Sequence, residues 1–260
     1  MKKLAFALLL AVLIFPIQFS WAAPLPIVEY QFNEGTGTSA LNSGSLGSDT
    51  NGEINGATYS SNTPFGTGYS LKFDGTGFND FVRVQDTFDY TDRLTIEAWI
   101  KPSAVDGQRI IWDDYGNPGV VFALTDAAVQ FSISTTSNLG VSLNEGSVKV
   151  GEWQHVAGVY DGSQMRVYIN GIFTGGVYFT SGPIIDNNLS PNYAAIGSSN
   201  IESYLLNFDG MIDDFRIYNA ALTPQELAGG HFAPVPEPST MLLLASGLVG
   251  LVGLRKKFKK

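Results

Sequence analysis

The segment Thr95-Ile96-Glu97-Ala98-Trp99-Ile100-Lys101 decides the fold class. Its period of two sends Ile96, Ala98 and Ile100 to one face and Glu97 and Trp99 to the other, the mark of a strand covered on one side. Ala128 to Ser134 repeats the pattern, with Val129, Phe131 and Ile133 separated by Gln130 and Ser132. Gln154 to Tyr160 and Met165 to Ile169 follow, joined by Asp161-Gly162-Ser163, a turn of hairpin length. Asn170-Gly171 then predicts a type I′ turn, because both residues tolerate positive φ. Further strands are predicted near Ile27 to Phe32, Leu71 to Phe73, Phe81 to Val84, Ile110 to Asp113, Val120 to Leu124, Ala194 to Ile196 and Phe208 to Tyr218. Only Thr223-Pro224-Gln225-Glu226-Leu227 reads as a helical turn, with Thr223 as N-cap and Pro224 at the first position. About a dozen short strands punctuated by turns predict an all-β, two-sheet antiparallel jelly-roll sandwich. The stretch from Thr36 to Asn51, rich in Gly, Ser, Asn and Thr, is expected to be a long surface excursion within the one domain.

The chain has 260 residues and a net charge of −9. Lys2, Lys3, Arg255, Lys256, Lys257, Lys259 and Lys260 sit at the two ends, so residues 23–254 hold eight bases against all twenty-four acids, a net charge of −16. Nucleic-acid partners are excluded, since phosphate binding needs a basic stripe and none exists between the ends. The absence of cysteine rules out disulfides, zinc thiolates and a cysteine nucleophile. Two histidines, His155 and His231, leave little material for a histidine metal site or a catalytic triad.

The sandwich, expected over residues 23–230, is flanked by two apolar segments, an N-terminal signal helix and a C-terminal hydrophobic helix. Residues 1–22 carry Lys2 and Lys3, an apolar run from Leu4 to Ile17, and Ser20 and Ala22 at the small-residue positions. They read as a secretory signal peptide, cut by signal peptidase between Ala22 and Ala23. Residues 231–260 form a tether followed by Pro236-Glu237-Pro238, a hydrophobic helix over 239–254 and the basic tail 255–260. The apolar part, Met241 to Leu254, rises about 21 Å as a helix, short of the roughly 30 Å hydrocarbon core. It suits a transient hold on the inner membrane, with the basic tail kept on the cytoplasmic side. This ordered triplet, helix and cluster resembles the PEP-CTERM sorting signal. The resemblance implies recognition by an exosortase, which cuts near Pro236, Glu237 and Pro238, and passage to the cell surface or extracellular matrix of a Gram-negative bacterium.

A second resemblance rests on five blocks in order: Tyr69 to Gly75, Leu94 to Pro102, Gly151 to Gly162, Tyr168 to Gly171 and Phe208 to Tyr218. From about Val28 to Leu227 the chain resembles the LamG-like, concanavalin A-like lectin/glucanase family. Many relatives carry a disulfide near the C-terminal strand, and this chain departs from them in having no cysteine.

The glucanases of that family use Glu-x-Asp-x-x-Glu, whose carboxylates stand about 5 Å apart. Only Glu29 and Glu34 have the outer spacing here, with Gln31 between them on the first strand, so the expectation is no catalytic site. His155 lies in a strand and reads as a satisfied sheet histidine; no Gly-x-Ser-x-Gly elbow occurs. A structural Ca²⁺ is implied by the resemblance, in which an aspartate of the last strand and oxygens of the first hold the ion. The corresponding residues are Asp214, in Asp214-Phe215-Arg216-Ile217-Tyr218, and Asn33 with Glu34, while Asp74 in an Asp-Gly turn is a further candidate. Each also reads as a turn residue bonding its own backbone. For a glycan, Trp112, Asp114 and Tyr115 at one strand end and Tyr193 and Tyr204 in the late loops supply aromatic faces with polar neighbours. The expected function is a noncatalytic module binding carbohydrate or another surface component. An extracellular glycoside hydrolase and a structural matrix protein without a small ligand are the alternatives.

Overall fold

In the computed structural model the described residues are 24–76, 80–85, 89–114, 119–185, 193–199 and 206–230. The strands, in chain order, are β1 (Val28–Tyr30), β2 (Ser39–Ala40), β3 (Gly52–Asn55), β4 (Thr58–Ser60), β5 (Ser70–Asp74), β6 (Phe81–Gln85), β7 (Leu94–Pro102) and β8 (Gln108–Asp113). There follow β9 (Val121–Thr125), β10 (Ala128–Ile133), β11 (Val141–Glu145), β12 (Gln154–Tyr160), β13 (Gln164–Ile169), β14 (Ile172–Phe179), β15 (Tyr193–Ile196) and β16 (Asp209–Tyr218). They form two antiparallel sheets in a jelly roll. The first runs β14-β13-β12-β7-β16-β5-β4, with β1 also paired to β16; the second runs β11-β10-β9-β8-β15-β6-β3-β2.

The alternation of β7 is what joins the layers. Ile96, Ala98 and Ile100 point inward with Val156, Tyr160, Ile212, Phe215 and Ile217 of the same sheet. They meet Val82, Val84, Phe122, Leu124, Val129, Phe131 and Ile133 of the other. Each large side chain withdrawn from water contributes about 1.5–3 kcal/mol, which is why a chain without disulfides closes on apolar contact alone. Gly158 lets this packing tighten: a Cβ there would stand 2.6 Å from Cγ of Phe131, so the ring lies directly against the strand backbone.

The predicted turns hold their strands as expected. Asn170 and Gly171 take φ of 51° and 71° between paired Ile169 and Ile172, the positive-φ geometry of a type I′ turn. Asp161 Oδ1 accepts from the amides of Ser163 and Gln164 and so closes the β12–β13 turn.

Two expectations need correction. The stretch from Thr36 to Asn51 is not a free excursion: it contains β2 and a 3-10 turn at Gly47–Thr50. Asn42 and Thr50 are buried within it, and Asn42 Nδ2 donates to Thr50 Oγ1 at 2.6 Å. Small polar residues that read as solvated loop here satisfy one another under the sheet edge. At Thr223 the hydroxyl does not cap a helix. The helical turn itself forms, with Leu227 N donating to Thr223 O at 3.2 Å, but both the hydroxyl and the Thr223 amide donate to the Glu226 carboxylate, and a 3-10 turn, Leu227–Gly230, follows.

Candidate functional site

The two sheets treat their outward residues differently. On the first sheet Thr95, Glu97, His155, Asp213 and Arg216 point away from the core and are nevertheless buried. The chain after β16 folds back across them. Leu222 N donates to Thr95 Oγ1 at 3.0 Å, that hydroxyl donates to Ala220 O at 2.7 Å, and Ala228 N donates to Glu97 Oε2 at 2.8 Å. Leu222 and Leu227 pack on Ala157, Val159, Tyr168 and Tyr218 as a small second core.

Beneath this strap lies a charge network. Glu97 Oε2 is 3.1 Å from His155 Nε2, and Glu97 Oε1 accepts from Tyr218 Oη at 3.2 Å and stands 3.7 Å from Arg216 Nη1. Arg216 donates to Glu29 Oε1 at 2.7 Å and to Asp214 Oδ1 at 3.1 Å. Burial alone would raise the Glu97 carboxyl, but His155, the Ala228 amide and Arg216 outweigh it and hold the group below the usual carboxylate range. Burial, followed by the charge of Asp214, pushes Asp213 up to about 8. Acid, imidazole and guanidinium are all present, yet Glu97 and His155 are wholly enclosed, so this constellation fastens the strap and has no access to a substrate.

On the second sheet the outward residues form a mostly polar row across seven strands, exposed at Ser142, Arg83 and Glu53 and buried at Ser132, Asp113 and Ala195. Register pairs Ser142 with Ser132, Ser132 with Val121, Val121 with Asp113, Asp113 with Ala195, Ala195 with Arg83 and Arg83 with Glu53. Ser132 and Ser142 share a hydroxyl hydrogen bond at 2.6 Å. Gln130 Nε2 donates to Ser132 Oγ at 2.9 Å, and Gln130 Oε1 accepts from Thr125 Oγ1 at 2.7 Å and Gln108 Nε2 at 2.8 Å. The Arg83 guanidinium lies 5.1 Å from the Tyr193 ring centroid and 5.7 Å from that of Phe81, a cation–π distance for both. Ser199 Oγ donates to Asp113 Oδ2 at 2.8 Å. Between the Asp113 carboxylate and the Arg83 guanidinium the row holds only the methyl of Ala195.

Of the residues singled out from sequence, Tyr193 alone among the described aromatics lies on this face. Trp112 is corrected: it is fully buried, stacks 5.2 Å from Phe215 and donates to Tyr90 Oη at 3.2 Å. A bulge between Ile110 and Trp112 breaks the alternation of β8, so that Ile111 and Trp112 both face the core. Asp114 is also buried, and its Oδ2 accepts from Val120 N at 3.3 Å. The four residues offered for calcium are not gathered into one site. Asn33 Oδ1 accepts from Tyr69 N, Glu34 accepts from Leu41 N and Tyr59 Oη, and Asp214, at φ 46° in a bulge of β16, meets Arg216. Asp74 stands apart from them at the β5–β16 end of the first sheet. The set implied by the resemblance therefore does not fit a calcium ion, because its anionic oxygens already answer amides and a guanidinium. Tyr115, Tyr204, the cleavage residues Ala22 and Ala23, and Pro236, Glu237 and Pro238 lie outside the described residues. No helix among the described residues is long and apolar enough to cross a membrane. Arg83, Asp113, Gln130, Ser132 and Ser142 were missed as a group. The alternation placed Gln130 and Ser132 outward, but pairing register alone aligns the row.

Residues 74–228, more than half of the chain, match the profile of the concanavalin A-like lectin/glucanases superfamily. The chain belongs to that superfamily. Residues 234–257 match the PEP-CTERM protein-sorting motif, which marks this concanavalin A-like protein for export and exosortase-dependent sorting to the cell envelope or surface. No curated protein matches the sequence significantly. Among solved structures, domain 4 of AbnA, an extracellular GH43 arabinanase from Geobacillus stearothermophilus seen with arabinotriose, is similar at TM-score 0.60 and 18% identity. That match covers 81% of this chain and 99% of that one. The binding domain of Paraclostridial Mosquitocidal Protein 1 is similar at TM-score 0.61 and 15% identity, covering 80% of this chain and 52% of that one. The botulinum neurotoxin serotype G binding domain follows at 0.61 and 13%, covering 80% and 50%. The chain thus spans about half the length of those two toxin domains. These likenesses show the shared fold.

Proposed function

We propose that the protein is a noncatalytic binding module of the extracellular matrix or cell surface, and that the outer face of its second sheet takes carbohydrate. The observation that carries this reading is the row from Ser142 to Glu53, with Asp113 and Arg83 on either side of Ala195 and the Tyr193 ring beside Arg83. Sugar hydroxyls need acceptors and donors in alternation plus one flat apolar face, and the exposed Ser142, Arg83 and Glu53 with the half-buried Gln130 and Tyr193 supply them. The domain seen with arabinotriose has the same fold and comparable length, which supports a carbohydrate as the ligand class.

The row also argues against glycoside hydrolysis. Its two carboxylates, Asp113 and Glu53, are three strand positions apart, about 14 Å, whereas hydrolysis needs a pair about 5–9.5 Å apart. Export, the sorting motif and the acidic surface suit a Gram-negative cell exterior, where exosortase would process the tail. A glycan array tests the reading: the protein should bind at least one polysaccharide class, and Arg83→Ala should lower that affinity about tenfold or more. An array that stays blank, or binding untouched by Arg83→Ala, would sink it.

A further inference from the structure

The chain holds three Asn-Gly pairs, Asn51-Gly52, Asn55-Gly56 and Asn170-Gly171. A glycine leaves the peptide nitrogen after asparagine unshielded, so that nitrogen can attack the side-chain amide carbon wherever the two are free to approach. The fold treats the three pairs differently. Asn170 is clasped to β12 in both directions: its amide donates to His155 O at 2.8 Å, and its Oδ1 accepts from His155 N at 2.9 Å. Asn51 Oδ1 accepts from Asn42 N at 2.8 Å, and Gly52 is buried in the second sheet between its partners Ala40 and Val84. In both pairs the side chain that would have to swing is held by a backbone amide.

Asn55 has no such hold. It closes β3, and Gly56-Ala57 is the short link by which the chain leaves the second sheet for β4 of the first. Gly56 is exposed at φ 72°, and its amide donates to no described residue. The Asn55 side chain makes one hydrogen bond, from Nδ2 to Glu53 O at 3.1 Å, and its Oδ1 accepts from no described residue. A single hydrogen bond open to solvent is exchanged for water at a cost of about 1 kcal/mol. Asn55 also stands beside the polar row. It shares the outward face of β3 with Glu53 and is the cross-strand partner of Phe81, over whose ring Arg83 lies at 5.7 Å.

We propose that Asn55 is a site of spontaneous deamidation, with water as the co-reactant, that changes the outward face of the second sheet as the protein ages. The Gly56 nitrogen gives its proton to hydroxide and bonds to Asn55 Cγ. The Cγ–Nδ2 bond then breaks, ammonia leaves with a proton from water, and a succinimide ring closes. Water adds to either ring carbonyl and reopens the ring, leaving a carboxylate on aspartate or on isoaspartate. Either product puts a new negative charge on the same face as Glu53 and diagonal to Arg83, whose guanidinium stands 3.6 Å from Glu53. That guanidinium then has a second acid within reach of its long side chain. Isoaspartate also inserts a methylene into the backbone, which breaks the pairing of Asn55 with Phe81 at the end of β3. The chemistry at Asn55 is independent of any ligand; only its effect on glycan affinity rests on the second face being the binding face.

The full chain, purified in detergent, is incubated at mildly alkaline pH and followed by peptide mass spectrometry, with fragmentation that separates aspartate from isoaspartate. Asn55 should convert about tenfold faster than Asn51 or Asn170, the factor that hydrogen bonds holding the other two side chains supply. In urea the three should convert at similar rates, because only the fold separates them. Asn55→Gln, which would have to close a larger ring, should remove the acidic species from the ion-exchange profile and keep the parent melting temperature. Asn55→Asp should carry that species from the start and bind any glycan found on the array about twofold more weakly or less tightly still. A blank array would remove the glycan reading and leave the mass spectra to decide this one. Equal rates at the three asparagines of the folded chain, or an Asn55 amide that outlasts the other two, would overturn the proposal. An Asn55→Asp chain that binds its glycan like the parent would overturn the effect on the face.

Discussion

On β7 the outward Glu97 ends wholly buried beneath the Ala228 amide, while on β10 the outward Gln130 stays half exposed beside Ser132. Both strands show the same period of two, and both send alternate residues into one core, Ile96, Ala98 and Ile100 from β7 and Val129, Phe131 and Ile133 from β10. What separates them is the twelve residues after β16, which return over the first sheet and have no counterpart among the described residues over Gln130 and Ser142. The covered face therefore collects the acids Glu97, Glu29 and Asp214 around Arg216 under a roof, and the other face mixes the hydrogen-bonding side chains of Gln130 and Ser142 with the exposed pair Arg83 and Glu53. A strand's own pattern says which side chains enter the core. It does not say whether the opposite face is closed by a second layer, and in this fold that second layer decides which face is left to meet a ligand.

The comparison breaks most visibly at Glu97. Glu97→Ala leaves Arg216 and His155 without their central acceptor, and stability to urea should fall by about 3–5 kcal/mol. A loss under about 1 kcal/mol would mean that the network does not fasten the first face. Leu227→Ala removes the apolar anchor of the strap and should cost about 2–3 kcal/mol, measured the same way, because a thin strap can settle into part of the space. Asp213 sharpens the contrast through pH. Its folded pKa of about 8 lies above the ordinary value of 3.8, so its contribution is fully present below about pH 4 and is lost as pH rises through about 8. Asp213→Asn should remove that slope, a difference on the order of 2 kcal/mol between the two chains by pH 9, read from melting curves across pH. On the second face, Gln130→Ala should change stability by less than about 1 kcal/mol, since water replaces its partners. Calorimetric titration with any glycan that binds should nevertheless register a loss of affinity. Stability losses of equal size on the two faces would remove the distinction drawn between them.

Much of the fold was legible because its determinants are local. Ile96 to Ile100 and Val129 to Ile133 show their inward faces in five residues, and Asn170-Gly171 carries its turn in two. β2, β3, β4 and β11 escaped notice: β2 has two residues, β3 starts on a glycine, and Ser142 and Asn144 disguise the alternation of Val141 and Leu143 as loop. The site was less legible. Trp112 looked like a platform because aromatic and acidic neighbours cluster there, but one bulge turns it inward. Asn33 and Glu34 looked like ligands because oxygen-rich loops bind calcium, but loop amides and the Tyr59 hydroxyl reached them first.

The sequence by itself determined that this chain is a cysteine-free sandwich of short strands, that its acids lie between two basic ends, and that its tail carries a sorting motif. Those features reside in periodicity, composition and adjacency, which need no partner from elsewhere in the chain. Only the tertiary structure decided that Glu97 is a buried strap anchor and that Ser142 to Glu53 form one row across seven strands. Each of those depends on register between strands far apart in sequence, and a shift of one residue in any pairing would turn every side chain of that strand to the other face.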